Sequence, residues 1–216
     1  MSGGYKVVLS DIDIKDRIYK DKIVQPFIED NLQPCSLDLT LDDKLLIPTV
    51  GKEYDIDDEI KTFKVGIEDH AIEPGEFVLA NTKEWVEIPN DIAGEVAGRS
   101  TMARMGLEVH LTAGWIDAGF KGNITLEIVN NSGNTIQLKE GARIAQLILH
   151  KLSSKVENEY NGKYQNSKGV VANRSEEVVE YTKKKVNASK DVKLNPDDVE
   201  RDLGSDCEGD GICPVR

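Results

Sequence analysis

Thr112-Ala-Gly-Trp-Ile-Asp-Ala-Gly-Phe-Lys-Gly-Asn-Ile-Thr-Leu-Glu-Ile-Val129 is a glycine-rich turn that runs into a strand. From Ile124 the residues alternate, with Ile124, Leu126 and Ile128 on one face and Thr125, Glu127 and Val129 on the other. Period-two alternation is the mark of a strand with one buried side. Glycines at 114, 119 and 122 permit tight turns and close backbone approach. Just upstream, Gly98-Arg-Ser-Thr-Met-Ala-Arg-Met-Gly106 supplies hydroxyls, guanidiniums and small residues, and Met102 to Gly106 fit a short helical turn.

Working outward, the same strand-like texture recurs. Ser36-Leu-Asp-Leu-Thr-Leu41 alternates, and Phe77-Val-Leu-Ala80 is a short apolar run after the turn Glu73-Pro-Gly75. Trp85-Val-Glu-Ile88 precedes Pro89-Asn-Asp91, while Val109–Leu111, Thr135–Leu138 and Arg143–Leu149 add further strands. Many short strands between turn signals predict an all-β sandwich or barrel rather than alternating strands and helices. One short helix is expected near the start. Ser10 caps it, Asp11 and Asp13 fill its first turn, and Ile14 and Ile18, with Ile12 as a candidate third, form its apolar face over roughly residues 11–20.

The chain has 216 residues, 39% hydrophobic and 31% charged, which suits one domain plus a tail. That domain is expected over 1–174. Residues 175–216 read as a charged extension, helical around Glu176-Glu-Val-Val-Glu-Tyr-Thr and mobile from Asn187 onward. A net charge of −12 opposes binding to nucleic acid and to anionic membranes but leaves room for a small anionic ligand held by local donors. The absence of a long apolar run and of a signal-peptide start points to a cytoplasmic protein. The three cysteines form neither a disulfide framework nor a common zinc spacing. The three histidines are scattered, so neither a protein-ligated transition metal nor a Ser-His-Asp triad is expected.

The chemistry concentrates in four places. Glu127 on its strand faces either solvent or a polar cavity; in a cavity, burial would raise its pKa and suit it to proton transfer near neutral pH. Asp117 either caps its own turn or faces a ligand drawn close by the glycines. Ser100, Thr101 and Arg104 make an anion cradle or, more plainly, a polar cap with a surface arginine. The stretch from Glu159 to Val171 is rich in donors, aromatics and glycines, and reads as a surface loop or as a lid over a nucleotide.

Together with Leu9-Ser-Asp-Ile-Asp-Ile14, Gln33-Pro-Cys-Ser-Leu-Asp-Leu-Thr-Leu41 and Lys163-Tyr-Gln165, these motifs resemble the dCTP deaminase/dUTPase family over most of residues 7–174. Thr112-Ala-Gly-Trp-Ile-Asp-Ala-Gly-Phe120 is most similar to its bifunctional branch, which deaminates dCTP and hydrolyses the product to dUMP and pyrophosphate. The resemblance implies a distorted jelly-roll, a homotrimer with active sites between subunits, and Mg²⁺ held through the triphosphate rather than by protein ligands. It implies that Glu127 relays protons to and from the water that attacks C4 of cytosine. Ser100 and Arg104 would bind phosphate and orient that water, and Thr101 would help cradle phosphate. Asp117 would contact the sugar hydroxyl and help activate water on the α-phosphate. Ala113 and Gly114 would lie against the base, and Phe120 under the sugar. Arg99, Thr125, Gln146, Tyr160 and Lys163 complete the implied substrate contacts.

Zinc deaminases carry a His-x-Glu…Pro-Cys-x-x-Cys signature, and Pro34-Cys35 lacks the second cysteine, so a deaminase on this chain would be zinc-independent. Plain trimeric dUTPases lack a glutamate at the position of Glu127 and end in a glycine-rich arm where this chain has Lys163–Gly169. Thr101 stands in place of a second serine, and Ser167 where a glutamine is common. Two other functions compete: a dUTPase without deaminase activity, and a silent nucleotide-binding regulator. A regulator would be free to lose Glu127 or Asp117, yet both are present beside Ser100 and Arg104.

Overall fold

The computed structural model describes residues 7–175. These lie in one compact unit, Met1–Glu176. The extension expected past Ser175, with its helix, falls outside the described residues.

Two six-stranded sheets and a two-stranded ribbon carry the fold. The first sheet runs Trp115–Ile116, Ile92–Gly98, Arg143–Lys151, Ser36–Thr40, Leu32–Gln33, with Val7–Val8 also paired to Arg143–Lys151. The second runs Leu107–Glu108, Lys121–Asn130, Phe77–Glu87, Lys44–Pro48, Thr62–Gly66, with Val24–Gln25 beside Phe77–Glu87. Neighbours in both are antiparallel, which leaves each sheet free to bury one face and wet the other. This is the all-β, jelly-roll-type architecture expected. Among the described residues no helix is long and apolar enough to cross a membrane.

The core lies between the sheets. Leu126 and Ile128 from one and Leu39, Ile144 and Leu147 from the other are fully buried; each such side chain withdrawn from water contributes roughly 1.5–3 kcal/mol. The expected alternation holds along Lys121–Asn130, where every second residue from Gly122 to Asn130 is buried and Asn123, Thr125, Glu127 and Val129 are half-exposed. The N-terminal helix spans Asp11–Asp21 and buries Ile14 and Ile18. Ile12 stays outside at 76% exposure, because it sits half a turn from that apolar stripe. Ser10 occupies the cap position, but its hydroxyl donates to the Asp13 carboxylate (3.0 Å) instead of receiving a backbone N–H.

Two strand assignments change. Phe77–Ala80 and Trp85–Ile88 were expected as separate strands, but Phe77–Glu87 is continuous. Its pairing with Lys121–Asn130 shifts register, so that Asn123 faces Trp85 while Thr125 faces Asn81. Side chains satisfy the ladder groups displaced by this bulge. Thr82 Oγ1 accepts from Ile124 N–H (3.0 Å) and donates to the Glu84 carbonyl (2.9 Å), and Asn123 Nδ2 donates to the carbonyls of Thr82 (3.1 Å) and Glu84 (3.0 Å). The strand placed at Val109–Leu111 lies instead at Leu107–Glu108. Beyond it the chain leaves the sheet to reach Thr112.

Candidate active site

Glu127 projects from the Lys121–Asn130 strand on its half-exposed face, opposite Leu79. That face is roofed. A cavity of about 460 Å³ stands over it, within the usual size range of a small-molecule site. Glu127 and Thr125 form the floor, Asp117, Phe120 and Ala113 one wall, and Tyr160 part of the cover. Burial pushes the Glu127 carboxyl above its ordinary value of 4.5; backbone groups and the nearby His110 pull the other way without cancelling it.

Two glycines shape the wall. Gly114 lies under the first sheet's edge, its carbonyl accepting from Val96 N–H (2.7 Å), and a Cβ there would stand 2.6 Å from the Val96 carbonyl oxygen. Gly119 has a φ of +94° and faces Glu159 so closely that a Cβ would sit 2.5 Å from that residue's own Cβ. The backbone closes the Asp117 turn through Phe120 N–H to the Asp117 carbonyl (3.2 Å). Among the described residues no hydrogen bond engages the Asp117 carboxylate, which is exposed on the cavity wall rather than spent as a cap.

The stretch from Tyr160 to Asn173 lies along the strand as a cover. Tyr160 N–H donates to the Ala118 carbonyl (2.8 Å), and its ring meets Phe120 at 5.9 Å between centroids and 57° between planes. Gln165 bridges the turn, accepting from Lys121 N–H (2.7 Å) and donating to the Gly119 carbonyl (2.8 Å). Ser167 is buried, and its hydroxyl returns to the Tyr164 carbonyl (2.7 Å). Lys163 Nζ lies over the Tyr164 ring at 5.6 Å and donates to the Arg174 carbonyl (3.1 Å).

The remaining sequence candidates stand elsewhere in the chain. Ser100 begins the short helix Ser100–Arg104, and Ser100, Thr101 and Arg104 are all exposed. Among the described residues no hydrogen bond or ion pair engages their side chains, and none of the three lines the Glu127 cavity. Arg99 is committed inward, its Nε donating to Asp38 Oδ1 (3.1 Å), and Arg143 approaches the other oxygen of that fully buried carboxylate at 3.6 Å. Gln146 faces Asp38 and Ala97 in register and donates to Ser36 Oγ (3.2 Å). One chain therefore presents two sets: a cavity with two carboxylates, and hydroxyls with a guanidinium on the short helix between the strands Ile92–Gly98 and Leu107–Glu108.

The dCTP deaminase-like family model matches residues 8–152, about two thirds of the chain. The chain belongs to the dCTP deaminase-like family. A dUMP-forming dCTP deaminase of Persephonella marina is 36% identical over 175 residues, covering 78% of this chain and 97% of that one. Another, from Methanopyrus kandleri, is 38% identical and covers 73% and 90%. Among solved structures, the 2′-deoxycytidine 5′-triphosphate deaminase of Agrobacterium tumefaciens superposes with a TM-score of 0.56 at 20% identity, over 68% of this chain and 48% of that longer one, a likeness of fold.

Within this deaminase-like fold, Trp115, Asn123, Tyr164 and Asn173 also line the cavity, and the sequence had not marked them as site residues. Asn123 was the one with a local signal, since it is polar and shares the half-exposed face with Thr125 and Glu127.

Proposed function

We propose that this chain deaminates dCTP and hydrolyses the resulting triphosphate, giving dUMP, pyrophosphate and ammonia in a cytoplasmic homotrimer. The observation that carries the reading is Glu127: a half-buried carboxylate, raised in pKa, on the floor of a cavity that also holds Asp117, Phe120 and Thr125.

Attack of water on C4 of the cytosine ring makes a tetrahedral centre. Glu127 takes the proton from the water as the C–O bond forms and passes it to ring N3. It then carries the remaining hydroxyl proton to the exocyclic nitrogen, which leaves as ammonia while C4 becomes a carbonyl and N3 keeps its proton. One carboxylate suffices when its pKa lies between those of the two partners, and burial moves Glu127 in that direction. Phe120 and Tyr160 pack beside the turn that carries Asp117, an apolar seat for a sugar with no 2′-hydroxyl. Asp117, with its carboxylate uncommitted, is assigned to the sugar hydroxyl and to the water that attacks the α-phosphate.

Ser100, Thr101 and Arg104 are assigned to the triphosphate, with Arg99 and Gln146 supporting them and Lys163 at the cover. Because they stand away from the Glu127 cavity within one chain, the reading places each site between two subunits. Among the described residues no group of three or more His, Cys, Asp or Glu side chains is arranged to hold a metal ion. As a hard, hydrated cation, Mg²⁺ suits the oxygens of the triphosphate, where it would neutralise phosphate charge during hydrolysis.

The deciding experiment is product analysis with dCTP and Mg²⁺. dUMP, pyrophosphate and ammonia in equal amounts are expected. Accumulating dUTP would leave deamination alone, and inertness toward dCTP with consumption of dUTP would make the chain a dUTPase.

A further inference from the structure

The cover over Glu127 is held from two sides. Along the Lys121–Asn130 strand, Asn166 N–H donates to the Lys121 carbonyl (2.7 Å), Asn123 N–H to the Ser167 carbonyl (2.9 Å), and Gly169 N–H to Asn123 Oδ1 (3.0 Å). Val171 N–H to Thr125 Oγ1 (3.4 Å) continues the series more weakly. At Asn173 the support passes to the opposite rim. Asn173 Oδ1 accepts from Ile60 N–H (2.8 Å) and its Nδ2 donates to the Asp58 carbonyl (2.8 Å). Ile60, Ala172 and Asn173 all line the cavity.

The loop 49–61 that supplies this rim is closed at its own base. Thr49 N–H donates to the Lys61 carbonyl (2.9 Å), and the Tyr54 hydroxyl meets Thr49 Oγ1 (2.9 Å) and Lys61 N–H (3.2 Å). Its tie to the cover is made on its returning limb, at Asp58 and Ile60, mainly through both ends of the Asn173 amide; Ser175 N–H to Glu59 Oε1 adds a contact at 3.5 Å. Core packing does not require this tie, since Asn173 is only half-buried and Arg174 and Ser175 are exposed.

The geometry points to Asn173 as a positioning residue for the proposed reaction, clasping the loop 49–61 to the segment 160–173 so that the two form one roof over the Glu127 cavity. This rests on the assignment of that cavity to dCTP. A roof assembled before the nucleotide arrives spares the ordering that binding would otherwise have to supply and keeps bulk water from the ring. Losing the clasp should weaken substrate capture more than it slows the proton relay.

The test uses the full chain with Asn173→Ala and Asn173→Asp, the second keeping the acceptor for Ile60 N–H. Amide hydrogen exchange over residues 55–61 is read without nucleotide, and KM and kcat are then read with dCTP. Asn173→Ala should speed exchange there about tenfold or more, with Tm held within about 2 °C. KM should rise roughly five- to tenfold with kcat within about twofold, and Asn173→Asp should fall between. Unchanged exchange, faster exchange at unchanged KM, or a loss confined to kcat would each overturn the clasp. Wild-type chain inert toward dCTP would overturn the assignment of the cavity, a failure the nucleotide-free exchange measurement tells apart from failure of the clasp.

Discussion

At the scale of single residues, two glutamates show what burial does in different settings. Desolvation raises both Glu84 and Glu127 above their ordinary value. Glu84 is spent: Thr40 N–H (2.9 Å) and Thr40 Oγ1 (2.7 Å) both donate to it in the core. Glu127 opens on a cavity, and only there can a raised carboxylate meet a substrate. Glu127→Gln keeps the shape and removes the relay, so ammonia release from dCTP should fall by about 10²–10⁴-fold while dCTP still binds; near-normal turnover would refute the role. The relay starts as an ionised base, so kcat/KM should rise with pH through the Glu127 value, with its acid limb above the ordinary carboxylate range. A limb at or below 4.5 in a pH profile would contradict the burial argument. The period-two pattern put Glu127 on a face with Thr125, but it could not say what covers that face. The cover comes from residues 160–173, too far along the chain for local periodicity to register.

At the scale of elements, the helix and most strands were legible because each carries its own periodicity. The Phe77–Glu87 strand read as two because Asn81, Thr82, Lys83 and Glu84 interrupt the apolar run, and those residues build the bulge. Glu84 then ties this strand to Ser36–Thr40 in the other sheet. Its folded-state pKa is raised, so the folded chain holds that proton more tightly than the unfolded chain does. The resulting stabilisation is fully present below the unfolded value near 4.5 and is lost as pH rises through the folded value. Glu84→Gln retains an acceptor for Thr40 N–H and cannot ionise. Its thermal melt should match or exceed wild type at pH 8, and the difference should shrink toward pH 5. Glu84→Ala leaves that N–H unpaired and should cost about 1–3 kcal/mol at either pH. Equal losses in both variants at pH 8 would show that the charge, not the acceptor, holds the sheets together.

At the scale of the molecule, the motifs marked chemistry without marking which groups one chain brings together. Glu127, Asp117, Phe120, Thr125, Ala113 and Tyr160 share a cavity, whereas Ser100, Thr101 and Arg104 lie outside it on the helix between Ile92–Gly98 and Leu107–Glu108. Sequence neighbours can be spatial strangers here because the chain passes from the first sheet to the second at Leu107–Glu108, back at Trp115–Ile116 and across again at Lys121. In the proposed cyclic trimer, a head-to-tail contact would set one chain's cavity against the next chain's Ser100–Arg104 helix. That arrangement makes a quantitative demand. Glu127→Gln and Arg104→Ala should each be inactive alone. Co-expressed in equal amounts and assembled at random, they should restore about one quarter of the wild-type sites, those where an intact Glu127 meets an intact Arg104 from its neighbour. If each chain built a complete site by itself, every site in the mixture would carry one lesion and activity would stay at the level of the parents. Recovery near a quarter, measured as ammonia release per subunit, would fix the site between chains; no recovery from trimers shown by mass to be mixed would return it to one chain.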